Sequence, residues 1–191
     1  MSKLEKPMLF NTVMVQAILE GNKTSTRRII KPHRKATIEN IWFDKEDGDV
    51  VTVYNDNKHI GEKGYIKPPY YVGDIIYVRE TWLKGDDGYH FRANETFVSK
   101  VVREAYGYKW KPSIHMPKVA ARLFLKVTDI RAERLQDITE DGAEKEGCEN
   151  DVIDSDIMTV KQSFEHLWDN LYKNWNENPW VWVIEFTKVG D

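Results

Sequence analysis

The sequence changes from a helical pattern to a strand pattern across residues 19–28, and this change constrains the fold more than any other feature. Apolar side chains at helical spacing precede the change: Met14, Val15, Ile18 and Leu19. Asn11 or Thr12 is placed to cap the start of this helix, and Gly21 is placed to end it. Residues 27–31 then predict a strand that stops before a proline.

The same segment concentrates side chains that can carry chemistry. They are one lysine, three hydroxyls and two arginines: Lys23, Thr24, Ser25, Thr26, Arg27 and Arg28. A lysine beside a hydroxyl is a minimal base and nucleophile, and two arginines suit an anionic or planar polar ligand. An ordinary basic turn between a helix and a strand contains the same residue types, so this simpler interpretation stays open.

Composition sets the outer limits. The chain has 191 residues and 41% hydrophobic content, which suits one well-packed core, whereas two domains would each be small. No stretch is apolar for long enough to cross a bilayer, and residues 1–6 lack the apolar region of a signal peptide. The single cysteine, Cys148, excludes an intramolecular disulfide and a cysteine-based zinc site. We expect a cytoplasmic protein that does not contact membranes.

Charge is distributed unevenly along the chain. The net charge is only −3, which does not suit a general polyanion binder. Residues 23–35 are rich in lysine and arginine, whereas residues 140–156 are rich in aspartate and glutamate. The basic stretch could hold a phosphate or a nucleoside, and the alternative is two solvated faces that partly attract each other.

Alternating and β-branched stretches predict several strands. These stretches are residues 36–43, 50–54, 72–82, 120–131 and 180–186, with a short hairpin around residues 85–88. Many short strands with a few helices favour an α+β fold, in which a small closed or nearly closed β-barrel is flanked by helices.

Two helices are predicted in the last third of the chain. Thr139 is placed to cap a short helix over residues 139–147, and a longer helix follows over residues 156–172. The buried face of the longer helix would carry Val160, Phe164, Leu167, Trp168 and Leu171.

Arg79 and Glu80 interrupt an otherwise apolar strand. Strand alternation places Glu80 on the face of its apolar neighbours, where a carboxylate must be paired. Glu80 is therefore either a ligand acceptor or acid, or a structural partner of Arg28 or Arg122.

Trp110 and His115 lie in a loop bounded by prolines. The indole could stack on a base and the imidazole could donate to it, although a tryptophan in such a loop can equally cover the core. Of the other histidines, His59, His90 and His166 have no metal-ligand spacing with carboxylates. We therefore expect no metal and no cofactor.

Four blocks of sequence resemble the ASCH domain family, which has a PUA-like barrel fold. The blocks are residues 7–12 leading into 23–28, residues 73–82, residues 110–117 running on to 135–140, and residues 178–186. The resemblance is strongest to the longer phage- and prophage-encoded members. It implies one ASCH domain over residues 1–191, with insertions at about 31–71 and 86–117.

The resemblance also implies a reaction. Small bacterial members of the family hydrolyse N(4)-acetylcytidine with a lysine, a threonine and a glutamate, which correspond here to Lys23, Thr26 and Glu146. Thr26 would be the nucleophile, Lys23 its base and Glu146 the assisting carboxylate. These three side chains are expected to converge at the mouth of the barrel.

Five further side chains are expected to contact the substrate: Arg28, Arg79, Glu80, Trp110 and His115. The expected partner is a nucleoside or RNA, and the oligomeric state is left open. Two alternatives to the hydrolase remain. One is a non-catalytic module that binds RNA or a modified nucleotide, and the other is a phage accessory protein that binds a host factor through exposed aromatic side chains.

Overall fold

The computed structural model describes residues 5–31, 38–43, 50–54, 63–153 and 156–190. The strands are β1 (Glu5–Leu9), β2 (Ser25–Ile29), β3 (Ile38–Phe43), β4 (Val50–Tyr54), β5 (Lys63–Ile66), β6 (Ile75–Arg79), β7 (Trp82–Gly85), β8 (Gly88–Phe91), β9 (Phe124–Arg134), β10 (Val152–Ile153), β11 (Asp156–Ile157) and β12 (Trp180–Lys188). The α-helices are α1 (Thr12–Glu20), α2 (Phe97–Ala105), α3 (Glu140–Lys145) and α4 (Val160–Tyr172). This mixture of strands and helices confirms the α+β class expected from the sequence.

The central sheet has five strands in the order β1-β6-β9-β12-β2. The β1 and β6 strands are parallel, and the other neighbours are antiparallel. The described strands do not close into a hydrogen-bonded barrel, because β1 and β2 remain the two edges of the sheet. Pro7 in β1 suits an edge, since proline has no N–H to donate. The guanidinium of Arg28 in β2 bridges these edges by donating to the Leu9 carbonyl at 2.9 Å.

The central sheet separates two apolar cores. Alternation along β12 directs Trp182 and Ile184 towards the core that contains Val15 and Ile18 of α1. Val183 instead belongs to the second core, which α3 and α4 cover. The edge strand β2 pairs with β12, and therefore lies where residues of α1 and α4 can both approach it.

Local capping signals locate the helices. Asn11 Oδ1 accepts a hydrogen bond from Met14 N at 2.8 Å, and Gly21 ends α1 with a φ of 85°, so both predicted boundaries of that helix are confirmed. Thr139 caps α3 as predicted. The α4 helix begins later than predicted because Thr159 and Gln162 form a capping box, and Asp156–Ile157 pairs as a strand with β10.

The predicted strands are present with altered boundaries. The strand expected over residues 72–82 is divided into β6 and β7, and the expected hairpin is the β7–β8 pair. The β9 strand starts at Phe124 because a 3-10 turn, Lys118–Ala120, follows Pro117. The α2 helix was not predicted from the sequence, and its apolar residues are largely exposed.

Two smaller sheets accompany the central one. The β3, β4 and β5 strands form an antiparallel sheet, which confirms the predicted pair at residues 36–43 and 50–54. The loop predicted between them, residues 44–49, lies outside the described residues. That residues 31–71 and 86–117 are insertions stays a prediction. Across the described ranges, no helix is long and apolar enough to span a membrane.

The burial of side chains along the central strand β12 can be tested by substitution. Ile184 is fully buried between neighbouring strands, so we expect Ile184→Ala to lower the free energy of unfolding by about 2–5 kcal/mol. Thr187→Ala, at an exposed position of the same strand, is the control and should change it by less than about 1 kcal/mol. Urea denaturation followed by tryptophan fluorescence measures both, and equal losses would contradict this account of the core.

Candidate functional site

The end of α3 lies against the short connection between α1 and β2. Lys23 N donates to the Ala17 carbonyl at 3.0 Å, and Thr24 N donates to the Lys145 carbonyl at 2.8 Å. Lys23 and Glu146 thereby form an isolated antiparallel bridge. This backbone pairing brings together two residues that are 123 positions apart in the sequence.

A buried cluster of charged side chains lies at this bridge. Lys23 Nζ donates to Glu146 Oε2 at 2.6 Å and to the Glu146 carbonyl at 2.8 Å. Arg27 Nη1 donates to the other oxygen, Glu146 Oε1, at 3.1 Å. The side chains of Lys23, Arg27 and Glu146 are 0%, 2% and 4% exposed. We call these three residues the Lys23–Glu146–Arg27 cluster.

Burial changes the acid–base properties of this cluster. The loss of solvation lowers the pKa of Lys23, and the ion pair with Glu146 offsets only part of that effect. Burial also raises the pKa of the nearby Cys148 thiol to about 11, so this thiol stays protonated at neutral pH. Lys23 is therefore easier to deprotonate than an exposed lysine, which is a property that a general base needs.

Gly147 allows the close approach between α3 and Lys23. Its φ is 83°, and a Cβ at this position would lie 3.0 Å from the Cβ atoms of Ala17 and Lys23. Any larger residue would therefore meet both a backbone penalty and a steric one. From the sequence, Gly147 had no predicted role in the site, and Arg27 was only one of two arginines suited to an anionic or planar polar ligand. A glycine at the end of the predicted acidic helix was a signal for the former.

Thr26 lies beside the cluster but on the other face of β2. It pairs with Ile184 of the α1-side core, whereas Arg27 pairs with Val183 of the α4-side core. Among the described residues, no hydrogen bond joins Thr26 Oγ1 to Lys23 Nζ. Thr26 and Glu146 nevertheless line one cavity of about 10 Å³ at the edge of β2. This cavity, which we call the edge cavity, is otherwise lined by Met14, Arg27, Arg28, Phe164, Leu167, Trp168, Leu171 and Tyr172.

Two buried polar atoms of β2 have unused hydrogen-bonding capacity. Ser25 Oγ and Arg27 Nε have no hydrogen-bond partner among the described residues. Buried polar atoms are usually paired, and exceptions often mark a position that a water or a ligand completes.

Glu80 has a structural partner in Arg122. Glu80 is 1% exposed and accepts from Arg122 Nε at 2.9 Å and from Nη2 at 3.0 Å. The guanidinium also lies 4.2 Å from the centroid of the Phe91 ring. Of the alternatives that the sequence left open for Glu80, the structure therefore shows the pairing with Arg122 and not with Arg28.

The remaining predicted ligand contacts lie outside the edge cavity. Arg79 Nη2 donates to the Ile114 carbonyl, and His115 is exposed at the end of a 3-10 turn. Trp110 lies beneath the guanidinium of Arg103, at 5.6 Å, and lines a separate cavity of about 670 Å³ between α2 and the β7–β8 hairpin. The structure thus places Thr26, Arg28 and Glu146 at the edge cavity, with Lys23 bonded to Glu146, and separates them from Arg79, Glu80, Trp110 and His115.

A metal site is not evident at the cluster. Within the described part of the chain, no group of three or more His, Cys, Asp or Glu residues is placed to hold a metal ion.

Unequal losses of stability are expected from the two sides of the ion pair. Glu146→Gln leaves the buried Lys23 without its carboxylate and Arg27 with only its carboxylate contact to Glu133 at 3.4 Å, so we expect it to lower the free energy of unfolding by about 3–5 kcal/mol. Lys23→Met should lower it by less, because Arg27 still pairs with Glu146. Glu144→Gln, on the exposed side of α3, is the matched control and should lie within about 0.5 kcal/mol of the wild type.

Urea denaturation measures these free energies. A smaller loss for Glu146→Gln than for Lys23→Met would contradict the description of Glu146 as the shared carboxylate of two buried cations.

Comparison with known proteins gives one solved structure. No family model and no curated protein matches the sequence. The fold is similar to the crystal structure of an ASCH domain from Lactobacillus crispatus JV V101, with 14% sequence identity and a TM-score of 0.42. The similarity covers 97% of this chain and 80% of that one.

Proposed function

We propose that the protein hydrolyses the exocyclic amide of an acylated pyrimidine nucleoside of the N(4)-acetylcytidine type. The observation that carries the proposal is the buried Lys23–Glu146–Arg27 cluster beside Thr26 at the edge cavity. A buried lysine with a lowered pKa, in contact with a specific carboxylate, is a frequent feature of active sites. The resemblance of the sequence to the small N(4)-acetylcytidine hydrolases supports the same assignment.

The cluster suits a lysine that alternates between charged and neutral forms. Arg27 supplies Glu146 with a permanent positive partner, so the carboxylate remains paired when Lys23 loses its proton. The lowered pKa of Lys23 makes this loss less costly. Glu146 also holds Nζ in place through two hydrogen bonds, one to its side chain and one to its carbonyl.

The proposed reaction has two halves. Lys23 takes the proton of the Thr26 hydroxyl while Oγ1 attacks the acyl carbonyl, the C–N bond breaks, and the leaving amine takes the proton back from Lys23. Water then attacks the threonine ester, with Lys23 again as base, and releases the carboxylate and free Thr26. Arg28, which lines the same cavity, is the side chain proposed to stabilise the carbonyl oxygen.

This reaction requires the edge cavity to open. A volume of about 10 Å³ holds no more than a single water molecule. Leu171 and Tyr172, at the end of α4, are partly exposed and form part of the cavity wall. Displacement of this helix end would enlarge the cavity and admit the substrate carbonyl to Thr26.

The closed cavity favours one second candidate. A module that binds RNA or a modified nucleotide without turnover would use the open surface beside the cavity and would not need its interior. In that case the Lys23–Glu146–Arg27 cluster is a structural ion pair.

Turnover of N(4)-acetylcytidine separates the two candidates. We expect the wild-type protein to release cytidine and acetate, and Thr26→Ala to lower kcat by about 10³-fold or more because the nucleophile is removed. Thr24→Ala is the matched control, since Thr24 is an exposed hydroxyl two positions away. Liquid chromatography of cytidine measures both rates.

The pH profile identifies the base. Activity should rise with pH as Lys23 loses its proton, and Lys23→Arg should be inactive because guanidinium stays protonated. Hydrolysis by Thr26→Ala at the wild-type rate would show that Thr26 is not the nucleophile. A folded wild-type protein that releases no cytidine would favour the binding module.

A further inference from the structure

A second, open cavity lies along the gap between the two edges of the central sheet. It has a volume of about 610 Å³ and lies between β1 and β2, where Arg28 spans from one edge to the other. Six of its lining residues carry charge or an aromatic ring: Arg28, Lys31, Lys67, Tyr70, Tyr172 and Trp182. We call this cavity the seam groove.

The charges of the seam groove all have one sign. Within the described ranges, its charged lining residues are Arg28, Lys31 and Lys67, and none is a carboxylate. Among the described residues, none of the three forms a salt bridge, and Arg28 bonds only to the uncharged carbonyl of Leu9. Three uncompensated cations in one groove of a chain with a net charge of −3 form a local anion-binding surface.

The aromatic residues give the groove a surface for a flat ring. Tyr172 is 38% exposed, and its ring lies 4.5 Å from that of the buried Trp168, which fixes its position. Tyr70 is held by a hydrogen bond from its hydroxyl to the Pro7 carbonyl at 2.7 Å. Cations beside an ordered, partly exposed aromatic ring are the combination that binds the phosphate and base of a nucleotide.

The seam groove leads directly to the edge cavity. Arg28 and Tyr172 line both cavities, so a ligand in the groove contacts the side chains that border Thr26 and Glu146. The seam groove is therefore an open cavity that adjoins the closed edge cavity.

We propose that the seam groove binds the phosphate of a pyrimidine nucleotide, so that the protein acts on a phosphorylated ligand rather than on a free nucleoside. The assignment of the base to the edge cavity rests on the proposed function, whereas the phosphate site rests on the cations of the groove, of which Lys31 and Lys67 have no part in the proposed reaction. Two sources can supply this phosphate: a free nucleoside monophosphate or one nucleotide of a single-stranded RNA.

Calorimetric titration with cytidine, cytidine 5′-monophosphate and a five-nucleotide single-stranded RNA with a central cytidine tests the proposal. At low salt we expect the monophosphate to bind the wild-type protein at least tenfold more tightly than cytidine. The double variant Lys31→Gln/Lys67→Gln should lose this preference. The matched control is Lys84→Gln/Lys100→Gln, which removes two exposed lysines outside the groove and should retain it. Rising salt should weaken monophosphate binding in the wild type and the control more than in the groove variant.

The RNA identifies the source of the phosphate. Binding at least tenfold tighter than the monophosphate indicates a single-stranded chain, and equal binding indicates a free nucleotide. Equal affinity for cytidine and both phosphorylated ligands, the absence of any binding, or wild-type preference in Lys31→Gln/Lys67→Gln would each overturn the proposal.

The outcomes also separate this proposal from the hydrolase. Phosphate-dependent binding without release of acetate would retain the groove and exclude the hydrolase. Hydrolysis of N(4)-acetylcytidine with no gain from a 5′-phosphate would retain the hydrolase and overturn the phosphate site in the seam groove.

Discussion

The ion pair between Lys23 and Glu146 is the interaction on which the arrangement of the site depends. It connects the start of β2 to the end of α3, and the backbone bond from Thr24 to Lys145 reinforces the connection. Burying two charges is costly, and this cost is recovered only when geometry and hydrogen bonding are good. Arg27 contributes that geometry by binding the second oxygen of the carboxylate.

The site has a buried part and a part that is open to solvent. The buried part holds the Lys23–Glu146–Arg27 cluster, where low solvation makes a neutral lysine accessible. The open part is the seam groove, which exists because β1 and β2 do not pair across the gap in the described sheet. Arg28 belongs to both parts, since it bridges the gap and borders the edge cavity. The unclosed sheet therefore places an open groove next to the edge cavity that borders the cluster.

Features set by neighbouring residues could be predicted from the sequence. The caps at Asn11 and Thr139 and the stop at Gly21 depend on local hydrogen bonds, so the pattern identified them. The start of α4 was misplaced because the capping box at Thr159 was not recognised. The α2 helix was missed because its apolar residues do not pack into a core, which leaves propensity as the main signal.

Features set by long-range contacts could be predicted only in part. The pairing of Lys23 with Glu146 was expected from the family resemblance, whereas the contact of Arg27 with Glu146 requires knowing which face of β2 meets α3. The partner of Glu80 required the position of Arg122, 42 residues away. The separation of Trp110 from the cluster depends on how the β7–β8 hairpin and α2 pack, which single-sequence patterns do not specify.

The central claim is that burial lowers the pKa of Lys23 within the ion pair, and the titration of Lys23 itself tests it most directly. In protein labelled with ¹³C-lysine, the Cε resonance of Lys23 is identified by its absence from Lys23→Met, and its chemical shift is followed against pH by NMR. The account predicts a midpoint clearly below that of exposed lysines such as Lys84, because burial disfavours the charged ammonium. A Lys23 that titrates together with the exposed lysines, or above them, would contradict it and would make the cluster a permanently charged structural pair.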